Sequence, residues 1–204
     1  MSYVNEFLGF RCAGDVLNSV APLNNPAKEI SESLALLRHV KGLALRYPRM
    51  LRLWDLCAGN ALTGILAVHY LPFAYAIAVD RKPHRRPGHA RVKRWEYRQG
   101  EIASLRGQIS KNDVLIASHP CQAAEDICHL FNDSEARAMF ILPCCQGKTS
   151  NKFTQLTRDR MSKYELWALH LARLVGGECS TRDLRILSPM NIIVSKVREL
   201  AWSS

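Results

Sequence analysis

The sequence predicts an α/β fold: a mostly parallel, seven-stranded sheet covered by helices on both faces and ending in a C-terminal antiparallel hairpin. Three observations carry this. The chain has 204 residues, 48% of them hydrophobic and 23% charged, which suits one domain with a sizeable core. After Pro48, strand patterns alternate with helix patterns, as they do when helical crossovers join parallel strands. The last two predicted strands are separated by little more than Ser188-Pro189-Met190. That connection is too short for a parallel crossover, so the pair must be antiparallel.

The elements follow in order. Asn24-Asn25-Pro26 marks a helix start, with Asn25 as the cap and Pro26 in the first helical position. Ile30, Leu34, Leu37 and Leu45 then recur at helical spacing up to Pro48. Residues 1–48 read as an N-terminal helical extension whose first twenty or so residues form a flexible arm or lid. Residues 49–204 read as the main domain. Within it, Leu51 to Leu56 is a buried strand, Ala61 to Tyr70 a helix and Ala74 to Val79 a second strand. Tyr97 to Ile102 is a weaker third strand, and Asp113 to Ser118 a clear fourth. A helix follows from Gln122 to Phe131, then a fifth strand from Ala138 to Leu142. A long helix spans Ser162 to Val175, and two last strands span Asp183 to Leu187 and Asn191 to Lys196. There is no internal repeat and no low-complexity tract.

The most apolar stretch, Ala61 to Val79, is broken by Thr63, His69 and Pro72, so it does not read as a membrane span. The N-terminus lacks the basic start and apolar run of a signal peptide, and a soluble cytoplasmic protein is expected. Seven cysteines, an odd count, argue against a disulfide framework. The net charge is +10. Seven basic residues and no acid fall between Arg81 and Arg94: Arg81, Lys82, Arg85, Arg86, Arg91, Lys93 and Arg94. Setting them aside leaves +3. Charge clustered in this way is what a polyanion-binding patch needs, and RNA is the expected partner.

The richest segment is Trp54-Asp55-Leu56-Cys57-Ala58-Gly59-Asn60-Ala61: an acid ends a buried strand, a tight turn follows, and a helix begins. In an open α/β sheet, ligands bind at the carboxyl ends of the strands. The next strand ends at Asp80, 25 residues on, where a carboxylate can accept both hydroxyls of a ribose. A dinucleotide fingerprint would need glycines at positions 57, 59 and 62, but Cys57 and Leu62 stand at two of them. A P-loop would need lysine after Gly64, where Ile65 stands, or glycine in place of Leu142 before Gly147-Lys148-Thr149. A ribose acid without a pyrophosphate loop points to S-adenosylmethionine.

Asp55-Leu56-Cys57-Ala58-Gly59 resembles the first motif of the class I S-adenosylmethionine-dependent methyltransferases, a Rossmann-like family whose parallel sheet ends in an antiparallel hairpin. The resemblance implies that the loop backbone meets the methionine part of the cofactor and that Asp80 holds the ribose. Gln99-Gly100-Glu101-Ile102 resembles the later motif whose acid contacts the adenine amino group, which makes Glu101 the candidate. The cofactor would lie against Asp55, Cys57, Ala58, Gly59, Asn60, Asp80, Arg81, Glu101, Ile102 and Ser118. Cys57 and Ala61 replace the family's usual glycines. The likeness covers residues 50–200 in topology and 50–150 in motifs.

Chemistry is expected where the fourth and fifth strands end, in Ser118-His119-Pro120-Cys121-Gln122 and Leu142-Pro143-Cys144-Cys145-Gln146-Gly147-Lys148. Neighbouring strands lie about 5 Å apart, so the two sets can converge. The His-x-Cys and Pro-Cys-Cys pair resembles a branch of these methyltransferases that includes tRNA 2′-O-ribose methyltransferases. Three mechanisms compete. His119 can act as a general base, because histidine side chains titrate near neutral pH. Cys121 can act as a nucleophile, since Pro120-Cys121-Gln122 resembles the cytosine C5 methyltransferases, although their Glu-Asn-Val element is missing. His119, Cys121, Cys144 and Cys145 can bind zinc, at an unusual spacing. Each of these residues also has a plain role, in packing or in a turn. The expected catalytic pair is His119 and Cys121, with no metal. Arg85, Arg86, Arg91, Lys93, Arg94 and Lys148 are expected to hold the substrate's phosphates, and Trp95 and Tyr97 can offer stacking surfaces. The expected function is an RNA methyltransferase. The alternatives are a small-molecule methyltransferase and a non-catalytic zinc- or nucleic-acid-binding domain on the same fold.

Overall fold

A computed structural model describes residues 1–83, 86–144, 161–179 and 182–198. Three helices lead the chain: α1 (Tyr3–Leu8), α2 (Ala13–Val20) and α3 (Pro26–Arg46). Then come β1 (Arg52–Leu56), α4 (Leu62–Tyr70), β2 (Tyr75–Asp80), β3 (Trp95–Gln99), β4 (Asp113–Ser118), α5 (Ala124–Asn132), β5 (Ala138–Leu142), α6 (Lys163–Leu174), β6 (Glu178–Cys179) and β7 (Val194–Val197). The seven strands form one sheet in the order β3-β2-β1-β4-β5-β7-β6. β1 to β5 are parallel, and β7 runs antiparallel to both β5 and β6. The strand order reverses between β1 and β4, and that reversal opens a crevice at their carboxyl ends.

Period-two alternation sorts each central strand between two cores. Leu53, Ala76, Val114, Ile116, Ala138 and Phe140 face α1 to α4. Trp54, Leu56, Ile77, Leu115, Met139 and Ile141 face α5 and α6. At the amino ends of the strands, Arg52 forks onto the buried Asp113 through two hydrogen bonds of 2.7 and 2.8 Å, which fixes the register of β1 against β4.

The cap expected at Asn25 is present. Its side chain accepts from Lys28 N, its own N–H donates to Glu29, and Pro26 opens the helix. Three expectations need correction. The first twenty residues are not a flexible arm: they form α1 and α2, which bury Tyr3, Phe7, Val16 and Val20 in the core. The third strand begins at Trp95, and Ile102 lies in a short 3-10 turn after it. Asp183 to Leu187 is not a strand: it joins no ladder of the sheet and closes a local turn, with Ile186 N–H donating to Asp183 O at 3.0 Å and Arg185 N–H to Asp183 Oδ1 at 3.0 Å. The partner of β7 is instead the two-residue β6, which comes before that segment. Among the described residues, no helix is long and apolar enough to cross a membrane.

Candidate active site

The loop after β1 is strained. Cys57, Gly59 and Ala61 have φ of 56°, 53° and 62°. For a residue other than glycine this conformation costs about 1–3 kcal/mol and is typical of functional sites. Asp80 holds the loop closed. Its Oδ2 accepts the Gly59 N–H at 2.9 Å and its Oδ1 the Lys82 N–H at 2.9 Å.

The loop after β4 is strained in the same way, with φ of 55° at His119 and 48° at Cys121. The His119 N–H donates to Leu142 O at 2.8 Å, which ties the ends of β4 and β5 together. Between these loops lies a cavity of about 460 Å³. Among its lining residues are Cys57, Asp80, Arg81, Glu101, Ile102, His119 and Cys121, all expected from sequence, with Val79 and Gln122. Such a volume suits a nucleoside-sized ligand.

Other expected residues lie elsewhere. The Asp55 carboxylate turns away from the cavity and under α4, where its Oδ2 accepts the Gly64 N–H at 2.8 Å. Burial pushes its pKa up to about 7, against the pull of that hydrogen bond. Asp55 therefore anchors the loop from below. Asn60 bonds to Glu29 and to Leu62 N, and it does not line the cavity. Ala58, Gly59 and Ser118 contribute no lining side chain either. Cys57 does line the cavity, but burial, with Asp80 nearby, pushes its thiol up to about 12, so it stays neutral.

The basic segment does not form one patch around the site. A connection between parallel strands must return from the carboxyl edge of the sheet to the amino edge. Arg81 therefore lies at the cavity, while Arg94 lies beside Ala76, at the start of β2, whose N–H donates to the Arg94 carbonyl. The register Ala76 to Asp80 puts these ends roughly 13 Å apart by strand rise. Arg94 is also spent internally, donating to the carbonyls of Phe73 and Val68. Arg91 and Lys93 border a different cavity, of about 470 Å³, beside Asp15 and His69. Gly88 pins the connection to α2, since a Cβ there would stand 2.5 Å from Asn18 O. Arg86 lies in the middle of this connection, and its Nε is buried. Trp95 and Tyr97 are buried against His89 and are not free for stacking with a base. Arg85, Cys145 and Lys148 lie outside the described residues.

Two further contacts lie at the cavity, and the sequence pointed to the first, between neighbouring strand ends, but not to the second. Cys121 Sγ lies 2.9 Å from Cys144 Sγ, across neighbouring strand ends. His119 Nε2 lies 2.7 Å from Oε1 of Glu32, a residue of α3 with a side chain only 3% exposed. That contact is within ion-pair distance but off the hydrogen-bond line. No cluster of three or more His, Cys, Asp or Glu that could hold a metal ion is present among the described residues.

No protein-family model matches the sequence, and neither does any curated protein. Solved structures do resemble the fold. A Klebsiella pneumoniae protein described as an O-methyltransferase superposes with a TM-score of 0.61 at 13% identity, covering 97% of each chain. A precorrin-6y C5,15-methyltransferase from Geobacter metallireducens gives 0.50 at 14% identity, covering 79% of this chain and 87% of that one. A variant of MtNAS in complex with S-adenosylmethionine gives 0.51 at 15% identity, covering 95% and 69%. The fold is thus the Rossmann-like methyltransferase fold, with its mostly parallel seven-stranded sheet and C-terminal hairpin.

Proposed function

We propose that the chain is an S-adenosylmethionine-dependent methyltransferase acting on RNA. The observation that carries this reading is the single cavity that joins Asp80 and Glu101 to His119 and Cys121 at the strand-order reversal. The residues fit the cofactor. Asp80 and the exposed Glu101 border the cavity with carboxylates suited to a ribose and to the adenine amino group, and Val79 and Ile102 offer an apolar wall for the base. The open space over Gly59 leaves its backbone approachable. When bound, the cofactor supplies an electrophilic methyl group. His119 takes the proton of the accepting nucleophile, and Cys121 borders the acceptor. Arg81 places positive charge at the cavity, and the exposed Arg91 and Lys93 offer a separate basic surface towards the amino end of β3.

Titration calorimetry with S-adenosylmethionine tests the cofactor. Saturable binding is expected, weakened about tenfold to a hundredfold by Asp80→Ala, the range for losing hydrogen bonds to a charged group. No heat with the wild-type chain would sink the reading. One observation favours a small-molecule methyltransferase instead: of the basic segment's described residues, only Arg81 lines the cavity. Absence of single-stranded RNA binding at low salt, with cofactor binding intact, would decide for that alternative.

A further inference from the structure

The N-terminal helices carry a charged group into the candidate site. Glu32 lies on α3, and its side chain is 97% out of solvent. Burying a carboxylate costs several kcal/mol unless it is paired. Its described charged neighbours are Lys28, at 3.7 Å on the next turn outward, and His119, at 2.7 Å. Lys28 is 39% exposed and compensates weakly. The carboxylate is thus held at real cost against the histidine that lines the cavity. Both ring nitrogens of His119 are covered, and neither has an in-line hydrogen-bond partner among the described residues, so the ring shows carbon to the cavity. The other charged or titratable groups around the ring are Cys57 from the β1 loop, Asp80 and Arg81 after β2, Glu101 after β3, and Cys121 beside Cys144. Of the groups on these elements, Glu32 is the one placed at Nε2 within ion-pair distance.

We propose that Glu32 is the positioning residue for His119: its carboxylate receives the Nε2 hydrogen and fixes the tautomer, leaving Nδ1 as the ring's acceptor nitrogen. The proposal requires the ring to turn about the Nε2 contact when substrate binds, so that Nδ1, buried in the free protein, reaches the cavity. Hydrogen bonds of this kind commonly tighten when substrate binds. In the transfer step the nucleophile's O–H or N–H bond breaks towards Nδ1 while the nucleophile forms its bond to the methyl carbon. The electrons of the old carbon–sulfur bond stay on sulfur. The positive charge gained by the ring is offset by Glu32. This role rests on the reading of the site as a methyltransferase centre, but the tautomer itself does not.

The test uses the full chain with Glu32→Gln and Glu32→Leu. Long-range proton–nitrogen spectra of the histidine rings report each tautomer, with His119→Asn identifying the His119 signals. The wild type is expected to show Nε2–H. Glu32→Leu is expected to populate both tautomers, and Glu32→Gln to shift the ring nitrogens while keeping the fold. Methyl transfer from labelled S-adenosylmethionine to total RNA is expected to fall about tenfold to a hundredfold in kcat, with cofactor affinity unchanged, since a general base is worth at least that much. A wild-type ring in the Nδ1–H form, or identical ring signals in folded Glu32→Gln, overturns the proposal. If the wild type transfers methyl to no acceptor while its ring shows the Nε2–H form, the proposed function fails and the positioning stands.

Discussion

Against one face of the sheet, α5 and α6 pack Phe131, Tyr164, Trp167 and Leu171 onto Met139 and Ile141. Against the other, α3 and α4 pack Leu34, Leu36 and Ile65, but they also bury Glu32, Ser33, Thr63 and, under α4, Asp55. On the first face Tyr164 Oη bonds to Ile192 N and O, while the neutral indole nitrogens of Trp54 and Trp167 are buried without a hydrogen-bond partner among the described residues. The second face differs in burying carboxyl groups: Ser33 and Thr63 bond to each other at 2.9 Å, Asp55 accepts from Gly64 N, and Glu32 faces a histidine. One face is built for cohesion, and the other gives up some cohesion to hold charges beneath a cavity.

Four variants would break or sharpen that contrast. The largest loss is expected from Phe131→Ala, about 3–5 kcal/mol by denaturant unfolding, with the cofactor affinity of the folded fraction unchanged. A large affinity change would mean that the apolar face also shapes the site. Tyr3→Phe removes the 2.5 Å bond to Asp183 and the 2.6 Å bond from Arg185. It is expected to cost about 1.5–3 kcal/mol. A loss under about 0.5 kcal/mol would show α1 to be loosely held.

Asp55→Asn acts through pH. The native carboxyl is raised from 3.8 to about 7, so Asp55 favours the folded state fully below about pH 4 and loses that contribution as pH rises through 7. The wild type is expected to lose up to about 1.4 kcal/mol per pH unit in that window relative to Asp55→Asn. His39, His69 and His89, lowered chiefly by burial, tilt both proteins the opposite way, so the difference between the curves isolates Asp55. Parallel curves would refute the burial argument. The smallest stability effect belongs to Arg91→Gln with Lys93→Gln, under about 0.5 kcal/mol. The salt slope of RNA binding should nonetheless fall by about 1–2. An unchanged slope would confine RNA contacts to the cavity end.

What was legible in the sequence follows from what each element has to bury. β1, β2, β4 and β5 are buried on both faces, so their runs stand out whatever their partners. β3 is an edge strand with Trp95 and Tyr97 in and Glu96 and Arg98 more exposed, a weaker signal that let its boundary slide. β6 is two exposed residues and carries no pattern at all. Leu184 and Ile186 imitate strand alternation while only one of them is covered. Asp80, Glu101 and His119 could be picked out because they stand at or within two residues of the carboxyl ends of strands. Glu32 could not, because a helical glutamate has no linear mark of which side chain it will face. The charge of the basic segment was readable. Its division between the two edges of the sheet was not, because that depends on the return path of the connection.

The strain at Cys57, His119 and Cys121 has a consequence for directed evolution. Glycine adopts these backbone angles without penalty, so replacement at any of the three should raise the melting temperature. A library selected for heat resistance alone should therefore drift to glycine at positions 57, 119 and 121, and sequencing the survivors would show it. The same library passed through a screen for bound S-adenosylmethionine and methyl transfer should keep the original histidine. The disagreement between the two survivor pools would then test, position by position, whether the strained backbone serves the proposed methyl transfer.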